Sequence, residues 1–300
     1  MLLISLIGEQ PIPNLLPIRH LQPAENLLIY TTKTEAVARR LRRIVSGRPD
    51  LSADLRGEAY DFDDLRQKLT ARLAGKTDIL FNLTGGTKMM ALAAFSIAAQ
   101  GGFPFVYMEN QKSTLLRYRF DNAAPIWLET AHLPALISTA DYLNSHLDGF
   151  TLNGFNKDGR GKLTDGGLFE QAVCSALENR LGKEAVQAGV QPGGMAKQID
   201  IDLVFRVGNQ VGIAEVKLGG SEGPKKGLDQ LKMAGEPDFL GTYTAQFLIT
   251  AAHGLNSDLQ TLAVRRKIKV ITLPEYESNR PLPAQAVDRL EKEVRQRLSE

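Results

Sequence analysis

Asp200, Asp202, Glu215 and Lys217 carry the spacing with the most chemical content in this 300-residue chain. The run Asp200-Ile-Asp202-Leu-Val-Phe205 is followed by a turn at Gly208-Asn209 and then by Ile213-Ala-Glu215-Val-Lys217. Residues two apart in a strand face the same way. Asp200 and Asp202 therefore share a face, as do Glu215 and Lys217. The turn makes the two runs a hairpin, so these faces can be the same one. Three carboxylates on a sheet otherwise made of Ile, Leu, Val and Phe repel each other and lose hydration. A hard divalent cation, Mg²⁺ or Mn²⁺, resolves that conflict; it prefers carboxylate oxygens, polarises a phosphate and activates a water. Lys217 would orient that water or neutralise developing negative charge. The competing reading is a solvated sheet face on which the acids simply pair with Lys217.

A second group is Asn82-Leu-Thr84-Gly85-Gly86-Thr87-Lys88. It lies between an apolar strand run and a helical run. Glycines let backbone approach a ligand closely, and a helix N-terminus offers free N–H groups to an anion. The spacing is neither that of a Walker A loop nor that of a dinucleotide-binding Gly-x-Gly-x-x-Gly. A plain strand-to-helix turn would need no ligand at all.

The elements that must position these groups fall into two series. In the first half Leu2–Ile7, Asn26–Thr31, Asp78–Leu83, Pro104–Glu109 and Ser113–Phe120 read as strands. Thr34–Val45, Asp63–Leu73 and Lys88–Gln100 have helical spacing, and a proline-rich loop spans Gln10, Pro11, Pro13 and Pro17. Alternating strands and helices predict a mostly parallel sheet covered on both faces. Gly149–Gly167 holds six glycines with Asn153, Asn156 and Asp158 and cannot form a core, so the domain junction is expected there. Beyond it the order is a helix over Leu168–Leu181 and strand runs at Ala185–Gln191, Ile199–Arg206 and Val211–Leu218. A helix near Gly227–Ala234, a strand Gln246–Ala251, a helix near Ser257–Arg266, a strand Lys269–Leu273 and a charged helix Ala284–Leu298 complete an α+β unit.

Composition bounds the rest. With 43% hydrophobic and 23% charged residues there is material for two cores. A net charge of +2 is far from that of a protein coating nucleic acid by charge alone, so any such contact must come from a local groove. The single cysteine, Cys174, excludes an internal disulfide and reads as a core helix residue. Leu2–Ile7 is too short for a membrane span and lacks a basic leader, so a cytoplasmic protein without membrane contact is expected. Arg39, Arg40, Arg42 and Arg43 read as a solvated helix face. The four histidines have no metal-ligand spacing. Lys225, Lys226 and Lys232 read as solvated surface or as cations near a substrate backbone.

Two resemblances follow from these motifs. Asp202, then Glu215-x-Lys217 on the next strand, resembles the core of the PD-(D/E)XK nuclease superfamily. Gly167-Leu-Phe-Glu170 is similar to the acidic helix position that precedes this core, and Gln230 to a polar position after it; no Pro precedes the Asp here. Taken by itself Glu170 reads as an exposed helix glutamate. The loops Gly8-Glu-Gln10-Pro-Ile-Pro13-Asn14, Thr31-Thr-Lys33-Thr34 and Asn82–Lys88 resemble those of CARF domains, Rossmann-like sensors of cyclic oligoadenylates in type III CRISPR defence. The whole chain is similar to CARF-fused nucleases of the DUF1887 type. The resemblance implies a CARF domain over 1–148, a linker over 149–166 and a restriction-endonuclease-like domain over 167–300. It implies catalysis by Asp202, Glu215, Lys217 and Glu170, with Mn²⁺ or Mg²⁺ held by Asp202, Glu215 and Val216. It further implies a homodimer binding cyclic tetra-adenylate through Gln10, Pro11, Asn14, Thr31, Lys33, Thr84, Gly85, Gly86, Thr87 and Lys88. The expected substrate is DNA, RNA or both. The alternative is a cyclic-nucleotide-binding regulator whose C-terminal domain is catalytically inactive.

Overall fold

The computed structural model describes residues 1–193, 199–219, 222–236 and 239–299. The chain divides into two compact units, Met1–Ile137 and Ser138–Glu300. The division thus falls before the glycine-rich stretch that the sequence offers as a linker.

The first unit is built on a sheet of β1 (Leu2–Leu6), β2 (Glu25–Tyr30), β3 (Leu55–Arg56), β4 (Ile79–Asn82), β5 (Phe105–Glu109), β6 (Thr114–Asp121) and β7 (Ala124–His132). Their order is β3-β2-β1-β4-β5-β6-β7. The first five pair in parallel, and β6 and β7 add antiparallel strands at one edge. β1 is buried along its whole length, as expected of a parallel strand covered on both faces. Leu2, Ile4 and Leu6 pack with Phe81, with Leu65, Leu69 and Leu73 of α3 (Phe62–Leu73), and with Met90, Ala94 and Ile97 of α4 (Lys88–Gly101). Asp61 caps α3, its side chain accepting the Asp64 N–H at 2.9 Å. On α2 (Glu35–Ser46) Arg42 departs from the solvated face expected of it: its guanidinium pairs with buried Asp54 and donates to the Asn26 carbonyl at 2.9 Å.

The expected proline-rich loop is instead a helix, α1 (Ile12–Leu21). Proline is tolerated in a first helical turn, where Pro13 lies, and Pro11 is the N-cap residue. Pro17 has no N–H to donate to the Pro13 carbonyl four residues back. The side-chain Nδ2 of Asn82 donates to that carbonyl at 3.2 Å. A residue at the end of β4 thereby satisfies the acceptor the proline orphans, which local spacing cannot reveal.

The second unit has a sheet ordered β13-β12-β11-β10-β9-β8. Its strands are β8 (Phe150–Leu152), β9 (Val186–Pro192), β10 (Ile201–Val207), β11 (Gln210–Lys217), β12 (Ala245–Thr250) and β13 (Lys269–Thr272). β8 to β11 form an antiparallel meander, and β12 and β13 continue it in parallel. Helix α5 (Thr139–His146) opens the unit. Val173 and Leu177 of α6 (Asp165–Leu181) and Leu290 and Val294 of α9 (Ala284–Ser299) pack against Leu203, Phe205, Val216 and Phe247. Cys174 belongs to this core, and burial pushes its thiol up to about 12. Helix α7 (Glu222–Ala234) lies against the opposite face of β11, where a side chain at Gly227 would meet Lys217 and Glu215. Helix α8 (Ser257–Arg265) completes the unit. No helix among the described residues is long and apolar enough to cross a membrane.

Candidate active site and ligand-binding loops

In the second unit the β10–β11 ladder runs from Val207↔Gln210 to Leu203↔Ala214 and stops. One step further the Asp202 carboxylate fills the gap: its Oδ2 accepts the Val216 N–H at 2.7 Å. N–H and carbonyl of one strand residue point to the same side, so the Val216 carbonyl faces this gap as well. Lys217 Nζ lies 2.7 Å from Asp202 Oδ2 and 2.6 Å from Glu215 Oε2. Asp202 and Glu215 are only 8% and 1% exposed. A solvated sheet face is therefore not what the hairpin presents. At Glu215 the ion pair with Lys217 is the only polar contact of the buried Oε2 among the described residues.

Glu170 also departs from its default as an exposed helix residue; it is 3% exposed on α6. Its Oε2 accepts the backbone N–H of Asn156 at 2.9 Å, and its Oε1 accepts the Asn156 side-chain amide. Asp200 is not part of this group's strand: it precedes β10 and is exposed. Gln230 sits half-buried on α7, its Oε1 lacking a partner among the described residues.

The electrostatics follow from crowding. Burial, reinforced by Asp202, raises Glu170 and raises Glu215 well above the usual carboxylate range; Asp200, though exposed as a residue, is raised by partial loss of water around its carboxylate and by Asp202. Burial works against the Lys217 ammonium, but Glu215 and Asp202 outweigh it and hold the group charged. Asp202 and Glu215 thus share a single ammonium, with Glu170 buried near enough for Asp202 to raise it. Among the described residues no three acidic, His or Cys side chains already converge as a metal cage. Lys217 occupies the place between two carboxylates where a hard cation would sit. The oxygen-only donor set, carboxylates with a backbone carbonyl beside them, fits Mg²⁺ or Mn²⁺.

Asn156 is the residue that sequence reading left unassigned. It begins a hairpin that replaces the expected linker: Lys157 bridges Leu163, and the Asp158 N–H donates to Lys162 O at 2.8 Å. The hairpin docks on α6 because Gly167 has no side chain; a Cβ there would come within 2.1 Å of the Asn156 carbonyl. Thr164 caps α6, accepting the Gly167 N–H at 3.0 Å. Of the glycines that looked like linker composition, Gly167 is a close-approach position, while Gly154 and Gly161 take positive φ of +70° and +81° in the loop.

In the first unit, strand order reverses between β1 and β4. Ligands of open α/β sheets bind outside the carboxyl ends of strands at such a switch point. The loops after β1 and β4 meet here so closely that a Cβ on Gly85 would lie 2.1 Å from Leu6 O, 3.0 Å from Asn14 Nδ2 and 3.1 Å from Gly8 N. Gly86 takes φ +74°. Asn82 accepts the Thr84 N–H at 3.2 Å and the Thr84 hydroxyl at 2.6 Å, and donates to Asn14 Oδ1 at 3.1 Å. The Thr84 hydroxyl oxygen accepts the Met108 N–H at 2.8 Å. Thr87 caps α4 through the Met90 N–H at 3.2 Å, and Lys88 follows, exposed. The loops after β1 and β2 are tied by Lys33 and Glu9 at 2.5 Å, and Thr31 forms a capping box with Thr34. Gln10 is half-buried, and Pro11 is buried at the start of α1. Asn14, expected to face a ligand, is fully buried; it braces Asn82, while its Nδ2 has no acceptor.

Comparison with known proteins fixes what the first unit is. Residues 2–140 match the family described as the Card1 CARF domain. The chain carries an N-terminal CARF domain. Solved structures resemble both units together. Can2 from Sulfobacillus thermosulfidooxidans, in complex with cyclic tetra-adenylate, matches with a TM-score of 0.74 at 16% identity, over 98% of this chain and 96% of that one. Protein VC1899 from Vibrio cholerae matches with a TM-score of 0.69 at 14% identity, over 99% and 98%. A type III CRISPR defence DNA nuclease activated by cyclic oligoadenylate matches with a TM-score of 0.67 at 17% identity, over 100% of this chain but 53% of that one. At these identities the likeness is one of fold. No curated protein matches the sequence.

Proposed function

We propose that this chain is a cyclic-oligoadenylate-activated, metal-dependent nuclease of type III CRISPR defence, acting in the cytoplasm. The observation that carries the reading is the burial of Asp202 and Glu215 against Lys217, with Glu170 buried on α6, in a chain whose N-terminal unit is a CARF domain. The fold likeness to Can2 bound to cyclic tetra-adenylate and to a DNA nuclease activated by cyclic oligoadenylate supports it.

In this reading the second unit is a PD-(D/E)XK domain. Asp202, Glu215 and the Val216 carbonyl hold Mn²⁺ or Mg²⁺, which when bound supplies Lewis-acid polarisation of a phosphate and a more acidic water. Lys217, released from its acidic partners, holds the attacking water or screens charge on the phosphate. Glu170 orients water from the α6 side, and Asn156 fixes Glu170 through two donated hydrogen bonds. In the first unit, backbone N–H groups of Gly85–Thr87 and Lys88 meet phosphates at the start of α4. Gln10, Pro11, Thr31, Lys33 and Thr84 line the neighbouring loops, and Asn14 holds the Asn82–Thr84 network in place. A two-fold cyclic tetra-adenylate suits an isologous homodimer of such sites.

Purified protein is incubated with supercoiled plasmid or single-stranded RNA, with Mn²⁺ or Mg²⁺, with and without cyclic tetra-adenylate. Cutting that needs both metal and cyclic nucleotide supports the reading, and loss of cutting in Glu215→Ala with cyclic-nucleotide binding retained supports the site. Tight cyclic-nucleotide binding with no cutting under any condition moves the assignment to a regulator with a catalytically inactive second unit, in which Lys217 stays between the acids.

A further inference from the structure

The hairpin between β8 and α6 has features that holding Glu170 does not explain. Over residues 156–164 it carries Lys157, Arg160 and Lys162 against one acid, Asp158, a net charge of +2 that equals that of the whole chain. All three cations are exposed, and none has an acidic partner among the described residues. The one acid is turned inward on the loop: Asp158 Oδ1 accepts the backbone N–H of Arg160 at 2.9 Å and of Lys162 at 3.0 Å. Gly161, at φ +81°, closes the turn. Both roots are fixed. Before the hairpin, the Asn153 N–H donates to Gly189 O at 2.8 Å, and Gly154 lies so close to Gly189 that a Cβ there would meet its carbonyl at 2.0 Å. After it, the Thr164 N–H donates to Asn156 O at 3.1 Å. Three outward cations thus stand on a rigid platform whose first residue is hydrogen-bonded to Glu170.

We propose that this hairpin is a phosphate clamp for the nucleic-acid strand, seating it against the carboxylate site. The inference rests on the nuclease reading above. The charge argument identifies the occupant. A strand reaching the site is a polyanion held through its phosphates, and the chain as a whole supplies almost no net positive charge, so the cations that hold it must be local ones beside the site. A hairpin pinned to Glu170 supplies them beside the scissile position, at backbone phosphates rather than bases. The contact is therefore indifferent to sequence.

The test is binding in a Glu215→Ala background, which does not cut. A labelled single-stranded oligonucleotide is titrated by fluorescence anisotropy with cyclic tetra-adenylate present, across a range of salt. We expect Lys157→Ala/Arg160→Ala/Lys162→Ala to weaken binding about 10-fold or more, and the slope of log K against log salt to shrink by about two, since each lost phosphate contact removes roughly 0.7–0.9. Arg160→Glu alone should weaken binding further than Arg160→Ala. Unchanged affinity and slope in the triple variant, with its melting temperature also unchanged, overturns the clamp while leaving a cutting wild type intact. A wild type that neither cuts nor binds oligonucleotide overturns both the nuclease reading and the clamp. If the triple variant melts early, Arg160→Glu and Arg160→Ala decide the question alone, and equal affinity for these two and the parent overturns the clamp.

Discussion

At the scale of single residues, the second-unit site is a balance between burial and charge. Glu215 is 1% exposed beside Asp202, and its carboxyl is pushed well above the ordinary range. Glu170 is pushed the same way by burial and by Asp202. A carboxyl whose folded pKa exceeds its unfolded value binds its proton more tightly in the folded state. Its contribution to stability is present below the unfolded pKa, about 4.3 for glutamate, and is lost as pH rises through the folded pKa. Metal-free protein should therefore melt at progressively lower temperature as pH rises from 5 to 8. A divalent cation takes the place of the protons, so Mn²⁺ should restore the melting temperature most at the upper end of that window. Scanning fluorimetry across pH, with and without Mn²⁺, checks this. Glu215→Gln, which keeps shape and removes charge, should flatten both the pH dependence and the response to Mn²⁺. A variant that still gains stability from Mn²⁺ like the parent places the cation elsewhere.

At the scale of elements, each site depends on one glycine at which two backbones touch. A methyl group at Gly85 would collide with the Leu6 carbonyl, and one at Gly167 with the Asn156 carbonyl, each at 2.1 Å. Backbone cannot yield as a side-chain tip does, so each substitution should cost about 1–3 kcal/mol and displace its own loop. Gly85→Ala should weaken cyclic tetra-adenylate binding, measured by calorimetry, while metal-dependent protection of the second unit persists. Gly167→Ala should do the reverse, leaving cyclic-nucleotide binding near that of the parent and reducing cutting about 10–100-fold, the usual loss when a supporting group is removed. Equal effects of both variants on both readouts would contradict the assignment of one site to each unit. The same positions mark where the sequence could be read and where it could not. The strands of β1, β2 and β4, the helices α2 to α4 and the β10–β11 hairpin are set by local periodicity, and their spacing alone brings Asp202, Glu215 and Lys217 together. Helix α1 was hidden because its tolerance of Pro17 depends on Asn82, far along the chain. The exposed β7 and the short α5 carry weak periodic signals. The hairpin over 156–164 read as a linker because turn glycines such as Gly161, at φ +81°, have the composition of flexible ones. The anchoring of Glu170 was missed for the same reason, since Asn156 of that hairpin is what hydrogen-bonds its carboxylate.

At the scale of the whole molecule, the proposal joins a cyclic-nucleotide site in one unit to a phosphodiester site in the other, and thermodynamics sets a condition on any such link. If cyclic tetra-adenylate favours the state that binds nucleic acid, nucleic acid must favour cyclic tetra-adenylate by the same factor. That reciprocity holds whatever path the coupling takes through the protein, and it holds for binding even where rates of cutting are not symmetric. Measured in Glu215→Ala, expected to bind without cutting, the affinity for a single-stranded oligonucleotide should rise on saturation with cyclic tetra-adenylate by a factor of about 5–150, the usual range of such couplings. The affinity for cyclic tetra-adenylate, measured separately with saturating oligonucleotide, should rise by the same factor. Gly85→Ala should remove both effects together, because it disrupts the site through which the first ligand acts. A cyclic nucleotide that binds tightly yet leaves oligonucleotide affinity unchanged shifts no equilibrium between states, however strong its own contacts. In that case gating would have to arise in the chemical step alone, and the comparison to make next is single-turnover cutting by the wild type with and without the cyclic nucleotide. An equal rate in both conditions would mean that the CARF unit does not control the site around Lys217.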